Sequence, residues 1–152
     1  YLGKDLADVN FVQIGGNCGT NLPECAVGGD PIWEYATRFG WTGIVLEPVP
    51  QIFSKLSSNY LPYTKVKPVQ ALVSNHSGVG KIGGGGETSH EISFSRKKGV
   101  EVPTYTLPSF LVGHCGYRVR PLPAAPGSSA SPAMTRVMVS LNYNNKDLFK
   151  DI

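Results

Sequence analysis

The sequence predicts an α/β fold with a doubly wound, mostly parallel sheet, and three observations lead to this prediction. Two short apolar runs rich in β-forming residues, at 10–14 and 43–47, are typical of strands buried on both faces. An amphipathic segment between them has a start signal at Asp30 and a stop signal at Gly40. A second amphipathic segment and a third apolar run follow, and this alternation is half of a doubly wound sheet.

Each element of the first half has its own signature. Asp30 can cap the first helix, and Gly40 can end it. The second helix is expected at 50–60, and its inner side would carry Ile52, Phe53, Leu56 and Tyr60. Residues 66–73 form the third strand, in which Pro68 indicates an edge or a bulge.

The second half of the chain is less regular. Its expected elements are a turn at 74–78, a glycine-rich tip at 83–86, a half-exposed strand at 91–95, an extended segment at 100–106 and a short helix beginning within 107–112. Residues 121–133 read PLPAAPGSSASPA, which is typical of a linker. We therefore expect a partial domain at 1–112, a linker at 113–134 and a segment at 135–152 whose β-like run has no obvious partner.

Composition and charge exclude several classes of protein. The 152 residues suffice for one domain, and an apolar share of 41% excludes a chain that is disordered throughout. The net charge of +3 is small and the longest basic run, at 96–98, is short, so no nucleic-acid partner is expected. No apolar stretch approaches the roughly 18 residues of a membrane span, so no membrane-spanning segment is expected.

The three cysteines, Cys18, Cys25 and Cys115, lack the spacing of a metal site, and no metal is expected. Reduced thiols in an intracellular, cytoplasmic protein are the favoured interpretation of an odd cysteine count. Because the sequence begins with Tyr1, we expect it to be part of a longer or processed product. The sequence leaves the compartment and the oligomeric state open.

Two features at the predicted strand ends indicate a ligand site. Residues 15–19 (GGNCG) form a bend directly after the first strand, and Glu47 closes the second. Neighbouring parallel strands end at one edge of a sheet, where open α/β folds bind ligands. Glycines there admit a ligand close to the backbone, and a carboxylate can accept hydrogen bonds from two ribose hydroxyls. An ordinary turn and a solvated glutamate are the alternatives, but their joint occurrence favours a nucleoside-bearing cofactor.

The glycine spacing narrows the class of cofactor. A dinucleotide fingerprint needs glycine at positions one, three and six, and counting from Gly15 these positions hold Gly15, Asn17 and Thr20. The phosphate-binding loop is absent too, since Ile82 follows Gly80 and Lys81. A cofactor with ribose and adenine but no phosphates fits best. S-adenosylmethionine is the leading candidate, and an NAD-dependent oxidoreductase is the disfavoured alternative.

Four segments resemble the FkbM family of methyltransferases. They read FVQIGGNCGTN, DPIWEYATRFGWTGIVLEPVPQIFSKLSSNY, VKPVQALVSNHSG and VEVPTYTLPSFL, and the resemblance extends over about residues 8–112. It is most specific at 30–60. The resemblance implies a class I, Rossmann-like methyltransferase fold with S-adenosylmethionine as cofactor. The expected reaction is O-methylation of a small-molecule or glycan hydroxyl.

The resemblance also implies roles for single residues. The glycine bend would wrap the methionine part of the cofactor, Glu47 would hold the ribose, and residues 71–75 would pass near the adenine. The implied cofactor-binding set is Gln13, Gly15, Gly16, Asn17, Gly19, Glu47, Pro48 and Ser74. Methyl transfer needs alignment more than acid–base chemistry, so no catalytic residue is assigned. His76 and His114 are the candidates for an optional base.

The chain departs from the family pattern at three places. Cys18 stands where the family often has Asp, and Gln13 stands where many methyltransferases have an acid. Residues 113–133 do not match the strand, with acids on the substrate side, that the family has next. We therefore expect a sheet that is incomplete at its C-terminal side, and a domain that binds the cofactor without catalysis is the alternative function. The other possibility is that 137–145 supply the missing strand, with Asn142 replacing an acid.

Overall fold

The computed structural model describes residues 9–20, 29–83, 91–93, 99–115 and 137–141. The architecture is mixed α/β with mostly parallel strands, as the sequence predicts. The strands are β1 (Asn10–Ile14), β2 (Thr42–Leu46), β3 (Val66–Val69), β4 (Leu72–Val73), β5 (Gly78–Gly83), β6 (Glu91–Ser93), β7 (Val100–Tyr105) and β8 (Val137–Leu141). The helices are α1 (Trp33–Arg38), α2 (Pro50–Tyr60) and α3 (Leu107–Cys115). None of the helices in these ranges has the length and apolar character needed to cross a membrane.

The first sheet is parallel and has the strand order β3-β2-β1-β8. β1 pairs with β2 on one side, where Phe11 lies opposite Gly43. A side chain at Gly43 has no room, because a Cβ there would lie 2.4 Å from the carbonyl oxygen of Phe11. Among the described strands, β3 is the outer one of this sheet, in agreement with the edge position indicated by Pro68.

The fourth strand, β8, corrects the expectation that the β-like run within 135–152 has no obvious partner. It lies parallel to β1 in five consecutive register pairs, from Asn10 with Val137 to Ile14 with Leu141. The two strands are far apart along the chain, so no local pattern announces their pairing. The alternative that the run beginning at 137 supplies a fourth strand is the one that the structure shows. Asn142 lies outside the described residues.

The second sheet has the order β4-β7-β5-β6, in which β4 is parallel to β7 while β5 is antiparallel to both of its neighbours. Only Gln70 and Ala71 separate β3 from β4, so the predicted third strand is shared between the two sheets. Leu72, Ile82 and Val102 form a small core in this sheet.

Two expected segments fall largely outside the described part of the chain. They are the glycine-rich tip beyond residue 83 and the linker beyond residue 115. Residues 113–115 of the expected linker belong to α3.

Helices cover both faces of the first sheet. Phe11 and Val45 point to one face, where they pack with Leu56 and Tyr60 of α2. Val12 and Ile14 point to the other face, as the alternation of a strand requires, and pack in a cluster with Phe110 of α3. Burying each apolar side chain of this size contributes about 1.5–3 kcal/mol. The packing on both faces fixes the ends of β1 and β2 in space.

The first helix is shorter than the sequence predicts, and Asp30 has a different role. α1 begins at Trp33, and no side chain caps it. The fully buried carboxylate of Asp30 instead accepts hydrogen bonds from the backbone N–H of Ile32 (2.9 Å) and the hydroxyl of Tyr60 (2.6 Å). Burial raises the pKa of Asp30, although these hydrogen bonds oppose the rise. Asp30 thus ties the chain before α1 to the end of α2.

Candidate functional site

The chain bends sharply at residues 15–19, here called the glycine loop. The backbone N–H groups of Gly15 and Gly16 both donate to the carbonyl oxygen of Leu46, at 3.0 and 2.8 Å, so the loop folds over the end of β2. Gly15, Asn17 and Gly19 have positive φ angles of 78°, 49° and 67°. Asn is one of the few residues with a Cβ that tolerates this conformation.

Close packing leaves no room for side chains at two positions of the loop. A Cβ at Gly16 would lie 2.1 Å from Cγ1 of Val45 and 2.8 Å from Cδ1 of Leu56. A Cβ at Gly19 would lie 2.8 Å from the ring of Tyr60. The backbone of the glycine loop therefore packs directly against β2 and α2.

Glu47 follows β2 and lies beside the glycine loop. Its Oε2 accepts a hydrogen bond from the backbone N–H of Asn17 at 3.1 Å, and its Oε1 accepts one from Val49 at 3.0 Å. The backbone N–H of Glu47 donates to the carbonyl oxygen of Val69 in β3, at 3.2 Å. The two features that the sequence places at neighbouring strand ends are therefore in direct contact.

Burial controls the ionisation of Glu47. The residue is 6% exposed. Desolvation raises the pKa of the carboxyl group to about 7, and the two backbone hydrogen bonds oppose this rise. Each carboxylate oxygen accepts one N–H and retains a lone pair for a further donor. Near neutral pH the group can therefore take up or release a proton when its surroundings change.

Gln13 lies beneath the glycine loop with an acceptor that is not satisfied. The residue is fully buried in β1, and its Nε2 donates to the carbonyl oxygen of Gly15 at 3.4 Å. Its Oε1 has no hydrogen-bond partner among the described residues. Leaving such a group unpaired costs about 1–3 kcal/mol, and a ligand with a donor group would remove this cost.

Two further members of the predicted set, Pro48 and Ser74, differ in their link to the loop. Pro48 is half-buried between Glu47 and Val49, whose N–H binds the carboxylate of Glu47. Ser74 follows β4, and its described hydrogen bonds run from its N–H to the carbonyl oxygen of Tyr105 (2.9 Å) and from its hydroxyl to Asn75 (3.2 Å). Pro48 thus lies beside the loop region through its chain neighbours, whereas the hydrogen bonds of Ser74 join it to β7 and its own turn.

Cys18 corrects the expectation of reduced thiols. It is disulfide-bonded, whereas Cys115 is a free cysteine. The partner of Cys18 lies outside the described residues. A disulfide requires the two Cα atoms to lie about 4.4–6.8 Å apart, and the spacing of cysteines along a sequence does not report this distance.

Asn59 supports the site and is missing from the sequence-based set. It lies near the end of α2, and its Nδ2 donates to the carbonyl oxygen of Cys18 at 2.8 Å. The only signal in the sequence is a polar residue beside Tyr60 at the end of an amphipathic helix. That signal is too general to identify a loop contact.

The two candidate bases lie in different surroundings. His76 is exposed and hydrogen-bonds to the side chain of Asn75. His114 stacks on Phe110 at 4.6 Å between ring centroids and meets Tyr105 edge-on. These contacts place His114 in the aromatic packing of α3. In the described ranges, no group of three or more His, Cys, Asp or Glu residues could hold a metal ion.

Comparison with known proteins identifies no relative of this chain. No protein-family profile matches the chain, and no curated protein or solved structure is significantly similar to it. The function is therefore inferred from the residues and contacts at the ends of β1 and β2.

Proposed function

We propose that this chain is an S-adenosylmethionine-dependent methyltransferase that O-methylates a small-molecule or glycan hydroxyl. The proposal includes the finer fold assignment, a Rossmann-like class I methyltransferase sheet. The observation that carries it is the hydrogen bond between the N–H of Asn17 and the carboxylate of Glu47. This contact brings the glycine loop and an acidic residue together where two adjacent parallel strands end. The resemblance to FkbM methyltransferases supplies the identity of the cofactor.

The strand order supports a ligand at this edge of the sheet. From β1 the sheet continues through β2 to β3 in one direction and to β8 in the other. Strands that follow β1 along the chain therefore lie on both of its sides. Open α/β sheets bind ligands in the crevice at the carboxyl ends of the strands where the order reverses in this way. The glycine loop begins at this point.

The residues at the site fit an adenosine-containing ligand that carries a positive charge. Glu47 has one lone pair on each carboxylate oxygen for the two hydroxyls of a ribose. The buried Oε1 of Gln13 needs a donor, and the ammonium group of a methionine moiety is one. Gly16 contributes in another way, because the absence of a side chain lets the loop backbone pack directly on β2. Together these residues provide acceptors and close backbone approach without a phosphate cradle.

The contribution of the protein to methyl transfer is mainly alignment. When bound, S-adenosylmethionine supplies a methyl group that its positively charged sulfur already makes electrophilic. Glu47 and the glycine loop would fix the orientation of the cofactor, while the packed helix layers keep the loop rigid. Correct alignment of two reactants can lower a barrier by roughly 7–11 kcal/mol. The proposal therefore assigns no catalytic base to His76 or His114.

Calorimetric titration with S-adenosylhomocysteine tests the proposed site. Glu47→Gln preserves the shape of the side chain and removes its negative charge. We expect the affinity to fall about 10- to 100-fold, because a hydrogen bond to a charged group contributes about 1.5–3 kcal/mol. Glu101→Gln is the matched control, since Glu101 is an exposed glutamate of β7 that pairs with Lys81. This control should bind like the parent chain.

Three outcomes separate the possible functions. Equal affinity of the parent chain and Glu47→Gln, or preferential binding of NAD, would overturn the proposed site. Transfer of a labelled methyl group to a panel of hydroxyl compounds would identify an enzyme. Binding without any transfer would instead identify a domain that holds the cofactor without catalysis.

A further inference from the structure

The carboxylate of Glu47 is held by dipoles and not by an opposite charge. The residue is buried, and the hydrogen bonds described for its two oxygens come from the backbone N–H groups of Asn17 and Val49. A backbone N–H group carries no net charge, so the ionised carboxylate keeps its full negative charge. Its buried surroundings screen that charge poorly.

The cations on neighbouring elements are not partners of Glu47. Lys55 of α2 and Lys67 of β3 are both exposed. In the second sheet, Lys81 pairs with Glu101 at 3.2 Å. Burial and the two backbone hydrogen bonds account for the ionisation of Glu47, and no charged side chain of the described ranges contributes to it.

The other titratable groups around the glycine loop are engaged elsewhere. Asp30 and Tyr60 hydrogen-bond to each other at 2.6 Å, and Cys18 is disulfide-bonded. His76 is exposed and hydrogen-bonds within its own turn. A positive charge that arrives with a ligand would therefore meet a buried negative charge that the described part of the chain does not neutralise.

We propose that Glu47 is a counter-ion by which the site distinguishes the cationic cofactor from its neutral product. The inference rests on the proposed function and deepens it. In methyl transfer the acceptor oxygen forms a bond to the methyl carbon, and the bond from carbon to sulfur breaks with its electron pair left on sulfur. The hydroxyl proton of the acceptor passes to solvent, and the sulfonium becomes a neutral thioether. The ionised carboxylate attracts the sulfonium and not the thioether, so the product should leave the site more readily than the cofactor.

The proton of Glu47 makes this selection dependent on pH. In the ligand-free chain its pKa is about 7, so the carboxyl group is about half ionised at neutral pH. A cationic ligand favours the ionised form and lowers the pKa, and binding then releases a proton. Selection by charge should therefore be complete above neutral pH and be lost as the pH falls below it.

Calorimetric titrations with S-adenosylmethionine and S-adenosylhomocysteine test the proposal at about pH 8 and about pH 5.5. The quantity compared is the ratio of the two association constants, cofactor over product. At the higher pH we expect this ratio to be about tenfold larger in the parent chain than in Glu47→Gln. At the lower pH the two chains should give similar ratios. The ammonium groups of the ligands titrate alike with both chains, so the comparison isolates the carboxyl group.

The control is Glu101→Gln, which removes an exposed carboxylate of β7 and should keep the ratio of the parent chain at both pH values. Nuclear magnetic resonance of the ligand-free chain gives an independent readout. The amide resonances of Asn17 and Val49, whose N–H groups bind the carboxylate, should shift with a midpoint near pH 7. Glu47→Gln should lack this transition.

The outcomes separate this proposal from the proposed function. Equal ratios in the parent chain and Glu47→Gln at the higher pH, a ratio that does not change with pH, or amide resonances without the transition would each overturn the selection by charge. If Glu47→Gln binds both ligands more weakly by the same factor, the methyltransferase site stands and only the selection is overturned. If neither ligand binds the parent chain, the methyltransferase assignment fails and the selection fails with it.

Discussion

The carboxyl group of Glu47 illustrates how a single residue can be costly for folding and useful for binding. Burial disfavours its charged form, and two backbone hydrogen bonds compensate only in part, so its pKa rises to about 7. The same burial strengthens any hydrogen bond that the ionised group makes to a ligand, because the surroundings screen charge poorly. The neutral form of Glu47 therefore favours the folded chain, and its ionised form favours ligand binding.

This balance predicts a pH dependence of stability. The pKa of Glu47 is higher in the folded chain, about 7, than its ordinary value of 4.5. Folding therefore takes up a proton between these pH values, and the free energy of unfolding falls as the pH rises through them. The loss attributable to Glu47 is at most about 3 kcal/mol. Urea unfolding across this range should show a steeper fall in the parent chain than in Glu47→Gln, because the raised pKa of Asp30 affects both chains alike. Parallel profiles would contradict the prediction.

At the scale of elements, α2 is the support of the site. Its Leu56 and Tyr60 lie against Gly16 and Gly19, and its Asn59 holds the loop backbone. Tyr60 also donates to Asp30 before α1, and its ring meets Trp33 edge-on at 5.0 Å between centroids. One helix therefore positions the glycine loop and fixes the start of the neighbouring helix.

Removal of the Tyr60 hydroxyl should test this double role. Tyr60→Phe leaves the buried carboxyl group of Asp30 without one of its donors. We expect a destabilisation of about 1–3 kcal/mol and a further rise in the pKa of Asp30. Denaturant unfolding measures the first effect. The control, Tyr63→Phe, removes the hydroxyl of a tyrosine in the same aromatic cluster, and it should change stability by less than about 0.5 kcal/mol.

At the scale of the whole molecule, the two ends of the described chain meet in one sheet. β1 lies at the start and β8 near the end, and their pairing makes β1 an inner strand between β2 and β8. The described elements between them along the chain belong to this sheet, lie over its faces or form the second sheet. Residues 137–141 are thus part of the same folding unit as the site.

A truncated chain tests the contribution of β8. A chain that ends at residue 136 leaves one side of β1 unpaired over five residues, and unpaired buried backbone groups cost about 1–3 kcal/mol each. We expect the free energy of unfolding to fall by more than about 3 kcal/mol, and light scattering to detect association through the open strand. A chain that ends at 141 retains β8 and is the control. Equal stability of the two chains would show that β8 contributes little.

The elements that the sequence predicted well depend on local signals. β1 and α2 have the predicted bounds, because an apolar run before glycines and an apolar stripe with a proline start need no distant partner. α1 is shorter than predicted, and Asp30, its expected cap, binds Tyr60, which is 30 residues away. The β-like run of β8 is visible in the sequence, but no local signal predicts its pairing, since its partner strand lies at the other end of the chain.

In the candidate site, too, local features could be predicted and contacts between distant residues could not. The strand ends at Gly15 and Glu47 are local features, and the parallel pairing of β1 with β2 is enough to bring them together. The disulfide of Cys18 and the contact from Asn59 depend on how the loop folds back in space. The unpaired Oε1 of Gln13 is likewise a property of packing that no pattern of residue types contains.

The outer side of β3 has a consequence for how two copies of the chain can meet. The backbone N–H groups of Gly43 and Glu47 donate to the carbonyl oxygens of Lys65 and Val69. The backbone polar groups of the odd-numbered residues therefore face β2, and those of Val66 and Pro68 face away from it. The N–H of Val66 is already bound to Tyr63, and a proline has none. Along Val66–Val69, β3 therefore offers no free outward N–H group to the carbonyl oxygens of an incoming strand. A strand added on this flank could use only the carbonyl oxygens of β3, which disfavours growth of the sheet into a continuous intermolecular ribbon.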